Sequence, residues 1–256
     1  MTTIALSPSP HLDYLLGLAD DALVLGHRLS EWIGHAPTLE EELALGNIGL
    51  DLIGQSRSLF THAGSIEGQG RDEDVYAYRR DAPQFRNLHL VELPNGDFAF
   101  TIARLLLVSA LTDPLWRALS HSRDETLGAI ADKASKETAY HLRHAAQWLV
   151  RLGDGTAQSH RRCQDALDEL WPFVPELFDP FPALAPLVEQ GIAVDPASLR
   201  VEWDRTIDTV LAEATLTRPR DARIPTGGRI GVHTEYLGHL LSELQFVSRA
   251  YPDAKW

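Results

Sequence analysis

Cysteine is nearly absent from this 256-residue chain: Cys163 is the single one. That excludes an internal disulfide and fits a reducing compartment. Basic side chains are in deficit, 23 Lys and Arg against 36 Asp and Glu, for a net charge of −13. Binding a phosphate backbone needs clustered cations, so neither nucleic acid nor an anionic membrane surface is an expected partner. Long apolar runs are missing too. The most apolar stretch, IARLLLVSALTDPLW, is broken by Arg104 and Asp113 and falls short of the ~20 residues of a bilayer span. The opening MTTIALSPSPHLD has no basic segment ahead of a long apolar run, so no signal peptide is expected. No Gly-x-Ser-x-Gly elbow is present and Cys163 has no flanking motif, which leaves a hydrolase little support. These absences together predict an acidic, soluble, cytoplasmic protein.

What is present is helical periodicity, with no convincing strand alternation. Residues 11–33 place Leu15, Leu18, Ala19, Ala22, Leu25, Leu29 and Trp32 on one side. Thr38 with Glu41 three positions on opens a second helix over 38–62. GSIEGQGRDED reads as a loop and 72–80 as a short helix. LPNG turns into a helix over 97–121 that Pro114 should kink. Another helix spans 124–152 and stops at Gly153 and Gly155. Shorter helices follow at 158–171, 196–217 (started by Asp195-Pro196) and 230–250. The expectation is a single all-α domain over 1–256, a helical bundle with additional C-terminal helices, its first ten residues flexible.

The stretch KETAYHLRHAAQW puts Glu137, His141 and His144 on one helical face. Carboxylate and imidazole facing inward is how bundles hold two irons, through a Glu-x-x-His pair on two helices and a lone Glu on the other two. Here Tyr140 stands three after Glu137, and His141 is four away. The second helix is apolar around most of its girth (Leu43, Leu45, Ile48, Leu50, Leu52, Ile53, Leu59, Phe60) and is expected to be central and mostly buried. Its one polar stripe, Asn47, Asp51, Gln55 and Ser58, contains no histidine, and neutral amides are weak iron ligands. A hydrogen-bonded polar seam explains these residues better than a metal.

Other alignments give little more. Asp20, His27 and Glu31 lie opposite the apolar centre of the first helix, as a solvated or partner-facing surface. Glu235, His239 and Glu243 lie opposite Leu237, Leu240, Leu241, Leu244 and Val247, as exposed i,i+4 pairs. Asp113 either faces the bundle or accommodates the proline after it. Arg218, Arg220, Arg223 and Arg229 gather around Gly227-Gly228, as a phosphate or acidic-patch contact or as a solvated loop.

The segments HAPTLEEELALGNIGLDLIGQSR, NLHLVELPNGDFAFTIARLL, KETAYHLRHAAQWLVRLGDGT, EQGIAVDPASLR and GGRIGVHTEYLGHLLSELQFV together resemble the PaaC-type subunits of the multicomponent phenylacetyl-CoA epoxidase. The resemblance runs from about residue 11 to Trp256. It implies a ferritin-like four-helix bundle with no catalytic, cofactor-binding or metal residues of its own. It also implies a homologous di-iron catalytic subunit as partner, in a heterodimer and higher assembly, and an NADPH-dependent reductase. That complex would use O₂ to epoxidise the ring of phenylacetyl-CoA in phenylacetate degradation. This chain would serve as scaffold, with Trp32, Phe60 and Phe98 as candidate anchors. At −13 it is a poor attractor for polyanionic coenzyme A, so the partner is expected to grip the phosphates. Two rivals stay open. One is a di-iron oxygenase with an irregular site from Glu137, His141, Asp51, Asp113 and His27. The other is a self-assembling helical binding or storage protein.

Overall fold

The computed structural model describes residues 3–181, 184–220, 222–252 and 254. Among these described residues ten α-helices follow one another: α1 Pro10–Ser30, α2 Leu39–Glu67, α3 Glu73–Tyr78, α4 His89–Glu92, α5 Phe98–Leu119, α6 Glu125–Gly153, α7 Ala157–Leu170, α8 Leu184–Glu189, α9 Arg200–Glu213 and α10 Glu235–Ala250. No strand occurs among the described residues. The fold is all-α and of the ferritin-like kind, a four-helix bundle built from two hairpins, α1–α2 and α5–α6, joined where α2 packs on α6.

Each long helix starts where a side chain satisfies its free backbone N–H groups. Ser9 caps α1 with Pro10 at the first position, and Thr38 caps α2. Asp97 accepts the Phe100 N–H for α5, and Asp124 accepts those of Thr126 and Leu127 for α6. α2 runs five residues beyond its expected end and stops at Gly68, whose φ of 68° suits glycine. α1 and α2 touch backbone to backbone: a Cβ on Gly26 would lie 3.2 Å from the Gly49 carbonyl oxygen, and the reverse contact is equal. α5 continues through Pro114 to Leu119. By length and hydropathy (1.5) it resembles a membrane span, yet 83% of that window is buried inside the protein.

α7 and α9 cover α5 from outside. Trp203, fully buried, donates its indole N–H to the Leu107 carbonyl at 2.9 Å and meets Trp171 and Phe178. The helix expected at 196–217 begins as a 3₁₀ turn, Pro196–Leu199, and ends early because Thr215 turns left-handed (φ 57°). Residues 3–7, expected to be loose, are tied down. The Ile4 N–H reaches the Arg79 carbonyl, Gln84 donates to the Ile4 carbonyl, and the Ser7 N–H reaches Glu67. Two of the expected first ten residues, Met1 and Thr2, lie outside the described residues.

Three expectations about faces are corrected. Asp20 is not solvated but fully buried in an ion pair with Arg80, itself fully buried. The segment after α3 wraps that side of α1, and Asp20 also accepts the Arg86 N–H at 2.8 Å. α2 is not buried around its girth: Leu43 is 60% and Leu50 67% exposed. Its outward stripe also takes in Leu39, 68% exposed, and Gly54, beside which a Cβ would meet nothing. On α10, Val247 is exposed and Gln245 takes its place in the core.

Candidate functional site in the bundle interior

The seam between α2 and α6 is polar at two of the four expected positions, Asp51 and Gln55, whereas Asn47 is exposed and Ser58 donates to the Gly54 carbonyl of its own helix. His141 Nε2 lies 3.1 Å from Asp51 Oδ2, and Gln55 donates to Glu137 Oε2 at 2.9 Å. Lys133 Nζ is 3.5 Å from the other Glu137 oxygen. Burial lowers the pKa of His141 against the opposing pull of Asp51 and Glu137, so its neutral form is favoured. One turn on, His144 Nε2 stands 3.3 Å from Glu41 Oε2, but neither atom makes a hydrogen bond. Burial raises Glu41 and lowers His144. Each is pushed toward neutrality, so the close approach is not a stable ion pair.

Behind this seam is a cavity of about 40 Å³. It has room for a water molecule, but the small-ligand sites of proteins run to roughly 300–1,000 Å³, too large for this space. α2 lines it with Leu52 and Gln55, and α6 with Thr138 and His141. Those are the three-residue spacings at which a ferritin-like bundle presents Glu-x-x-His. Leucine and threonine stand at the carboxylate positions, and glutamine at one histidine position. The Thr138 hydroxyl donates to the Ala134 carbonyl at 2.6 Å within its own helix. α5 offers Ser109 and Thr112. From α1 comes one carboxylate, Asp21, already taken: Oδ2 pairs with Arg229 at 2.6 Å and Oδ1 accepts the Leu88 N–H at 2.8 Å. Burial raises the pKa of Asp21 to about 6 despite Arg229. Two irons need several anionic oxygens, and this donor set does not fit them.

The sequence drew attention to Glu137 and His141, four apart. The inward pair is Thr138 and His141. Counting back three residues from His141 and from Gln55 would have found Thr138 and Leu52 as substituted ligand positions.

The remaining candidates are spread apart. Asp113 pairs with Arg117, which also holds Glu202 on α9, so it faces away from the cavity. His27 is half-buried, with burial lowering its pKa, and Glu31 is exposed. Glu235, His239 and Glu243 are exposed as expected. Phe60 is buried against Tyr76, so it is no anchor, whereas Trp32 and Phe98 form a half-buried aromatic group with Trp148. Cys163 is buried, and burial pushes its thiol up to about 11. Three of the four connector arginines are engaged within the chain, and Arg220 is exposed. Arg218 holds Asp204 and Asp208, and Arg223 holds Asp179. Arg229 closes the cavity beside Asp21 and donates to the Gly17 and Arg86 carbonyls.

The comparisons with known proteins agree with this architecture. The family described as phenylacetic acid catabolic protein matches residues 2–256. The C subunit of 1,2-phenylacetyl-CoA epoxidase from Escherichia coli (strain K12) is 49% identical over 243 residues, covering 95% of this chain and 98% of that protein. On both grounds the chain belongs to the phenylacetic acid catabolic protein family.

Proposed function

We propose that this chain is the structural, non-catalytic subunit of a multicomponent monooxygenase that epoxidises the ring of phenylacetyl-CoA. In that reaction one oxygen atom of O₂ enters the ring and the other leaves as water, with two electrons from NADPH through a reductase. The di-iron centre belongs to a like-folded catalytic subunit. The observation that carries the reading is the donor set of the bundle interior, where Leu52, Gln55 and Thr138 line the cavity at the spacing that would carry ligands. The 49% identity to the C subunit of an epoxidase supplies the substrate class.

The partner's docking face is the outward stripe of α2. Leu39, Leu43 and Leu50 are each at least 60% exposed, and contiguous exposed leucines of this kind mark association surfaces. Burying one such side chain is worth roughly 1.5–3 kcal/mol, so three supply the apolar centre of an interface with a polar rim. The engagement of Arg218, Arg223 and Arg229 within the chain leaves coenzyme A phosphates to the partner. The cytoplasm is the proposed location.

Reconstitution tests the proposal. The chain alone should turn over no phenylacetyl-CoA, and adding it to the di-iron subunit and reductase should restore a stable, active complex. Turnover by the chain without that subunit, or an active complex that forms without the chain, contradicts it.

A further inference from the structure

Among the described residues, two groups of metal-ligating side chains lie outside the cavity, and their hydrogen bonding separates them. In the first, His89, Glu92 and His233, nearly every donor and acceptor is taken. His233 Nδ1 faces Glu92 Oε2 at 2.8 Å and its Nε2 faces the Phe85 carbonyl at 3.0 Å. Glu92 also accepts from Asn87 and from the Thr234 N–H, and His89 Nε2 meets the Val232 carbonyl. An ion there would have to break a satisfied buried knot.

The second group is different. His11 comes from the first turn of α1, His62 from near the end of α2, and Asp124 caps α6. The Nε2 atoms of both histidines converge on one oxygen, Asp124 Oδ2, at 2.9 Å and 2.6 Å. His11 Nε2 is buried and makes no hydrogen bond despite that proximity. Asp124 is oriented from behind: its Oδ1 accepts the Thr126 and Leu127 N–H groups at 3.0 Å, which leaves Oδ2 turned to the histidines. Such fixing of a carboxylate by its second oxygen is what metal sites use. The His62 and Asp124 side chains are 9% and 8% exposed, whereas His11 is 20% exposed and gives solvent a way in. His62 lies about 10 Å along α2 from Gln55, so this group is separate from the bundle cavity.

We propose that His11, His62 and Asp124 form a mononuclear site for a divalent cation of the zinc class. Two imidazoles and one carboxylate suit a borderline-soft first-row ion, with water as the fourth, tetrahedral ligand. Bonds of about 2.0–2.2 Å place tetrahedral donors roughly 3.3 Å apart. The two histidine–Asp124 distances therefore need to lengthen by less than about 1 Å, within rotamer relaxation, and all three donor atoms already lie within 4.8 Å of one another. A cation here would clamp three of the four bundle helices at one end, a tie that the interior lacks.

The test is a zinc titration of the full chain after chelator treatment, read by competition with a chromophoric chelator. One Zn²⁺ should bind per chain. His11→Gln and Asp124→Asn should each weaken it by more than about tenfold, since even outer partners of metal ligands cost that much. Gln at position 11 sits in a half-exposed first turn, and Asn keeps the α6 cap, so both variants should show the far-UV circular dichroism of the parent. Co²⁺ bound to the unmutated chain provides a measurement independent of mutation and should give the visible bands of tetrahedral nitrogen and oxygen ligation. Absent stoichiometric binding, a Co²⁺ spectrum like that of the free ion, or binding lost in His239→Gln but kept in His11→Gln would overturn the proposal.

Discussion

At the scale of single residues, the chain holds charge in its interior and satisfies most of it. Asp20 and Arg80 are both fully buried. Arg80 also donates to the Tyr76 and Gln84 carbonyls and lies over the Phe85 ring, 4.2 Å from its centroid. Asp20→Ala would leave that guanidinium buried without its counter-charge, at a cost of about 3–5 kcal/mol, read by urea denaturation; a loss under about 1 kcal/mol would contradict the account. The Glu92–His233 pair makes a prediction about pH. Burial alone would lower His233, but the Glu92 hydrogen bond and charge and the Phe85 carbonyl raise it above 6.5. Burial alone would raise Glu92, but the His233 hydrogen bond and charge and the Thr234 N–H bring it below 4.5. A raised histidine contributes its stability below its unfolded value and loses it as pH rises through the folded one; a depressed carboxylate contributes above its unfolded value and loses it on acidification. The thermal-midpoint difference between wild type and His233→Gln should therefore be largest between pH 4.5 and 6.5 and shrink on both sides. A difference that grows steadily toward alkaline pH would sink this reading. None of these partners was legible in the sequence. Asp20 and Arg80 are 60 positions apart, and Glu92 and His233 are 141 apart, so no local pattern joins them.

At the scale of elements, the long helices were legible because caps and periodicity agree along each of them: Ser9 with Pro10, Thr38, Asp97 and Asp124 all cap as their residue types predict. The short pieces were not. α4 has four residues and α8 six, too few for a period of 3.6 to show. The 3₁₀ stretch Trp171–Phe178 has prolines inside a run that reads as irregular. The girth of α2 carried a different message from the one read. A helix apolar all round must be buried somewhere, and this chain covers only one side of it. Leu50→Asp and Leu43→Asp should each leave the stability of the isolated chain within about 0.5 kcal/mol, as surface changes do. Each should weaken association with the di-iron subunit by more than about tenfold, as loss of a buried anchor does. Calorimetric titration against that subunit gives the second number, and unchanged affinity would move the interface elsewhere. The candidate site was half legible for the same reason as α2. Periodicity found the polar seam of Asp51, Gln55, Glu137 and His141, but which seam residues turn to the cavity depends on the crossing of α2 with α6, and no single helix specifies that.

At the scale of the whole molecule, the bundle has the frame of an oxygen-activating protein around an interior of leucine, threonine and amide. Ligand bonds would tie the helices of a metal-loaded bundle. Here the close α1–α2 backbone contact at Gly26 and Gly49, the wrap of the segment after α3 and the Arg229 closure do so instead. On the proposed function, the chain works in an assembly that acts on an aromatic coenzyme A ester and leaves the iron chemistry to its partner. The iron content of this chain tests that division most directly. The chain should be purified alone from iron-supplemented cells, checked for helical folding and measured by elemental analysis before and after mild chelation. The account predicts iron far below one atom per chain. Two irons per chain, held against the chelator and lost in His141→Ala, would contradict it.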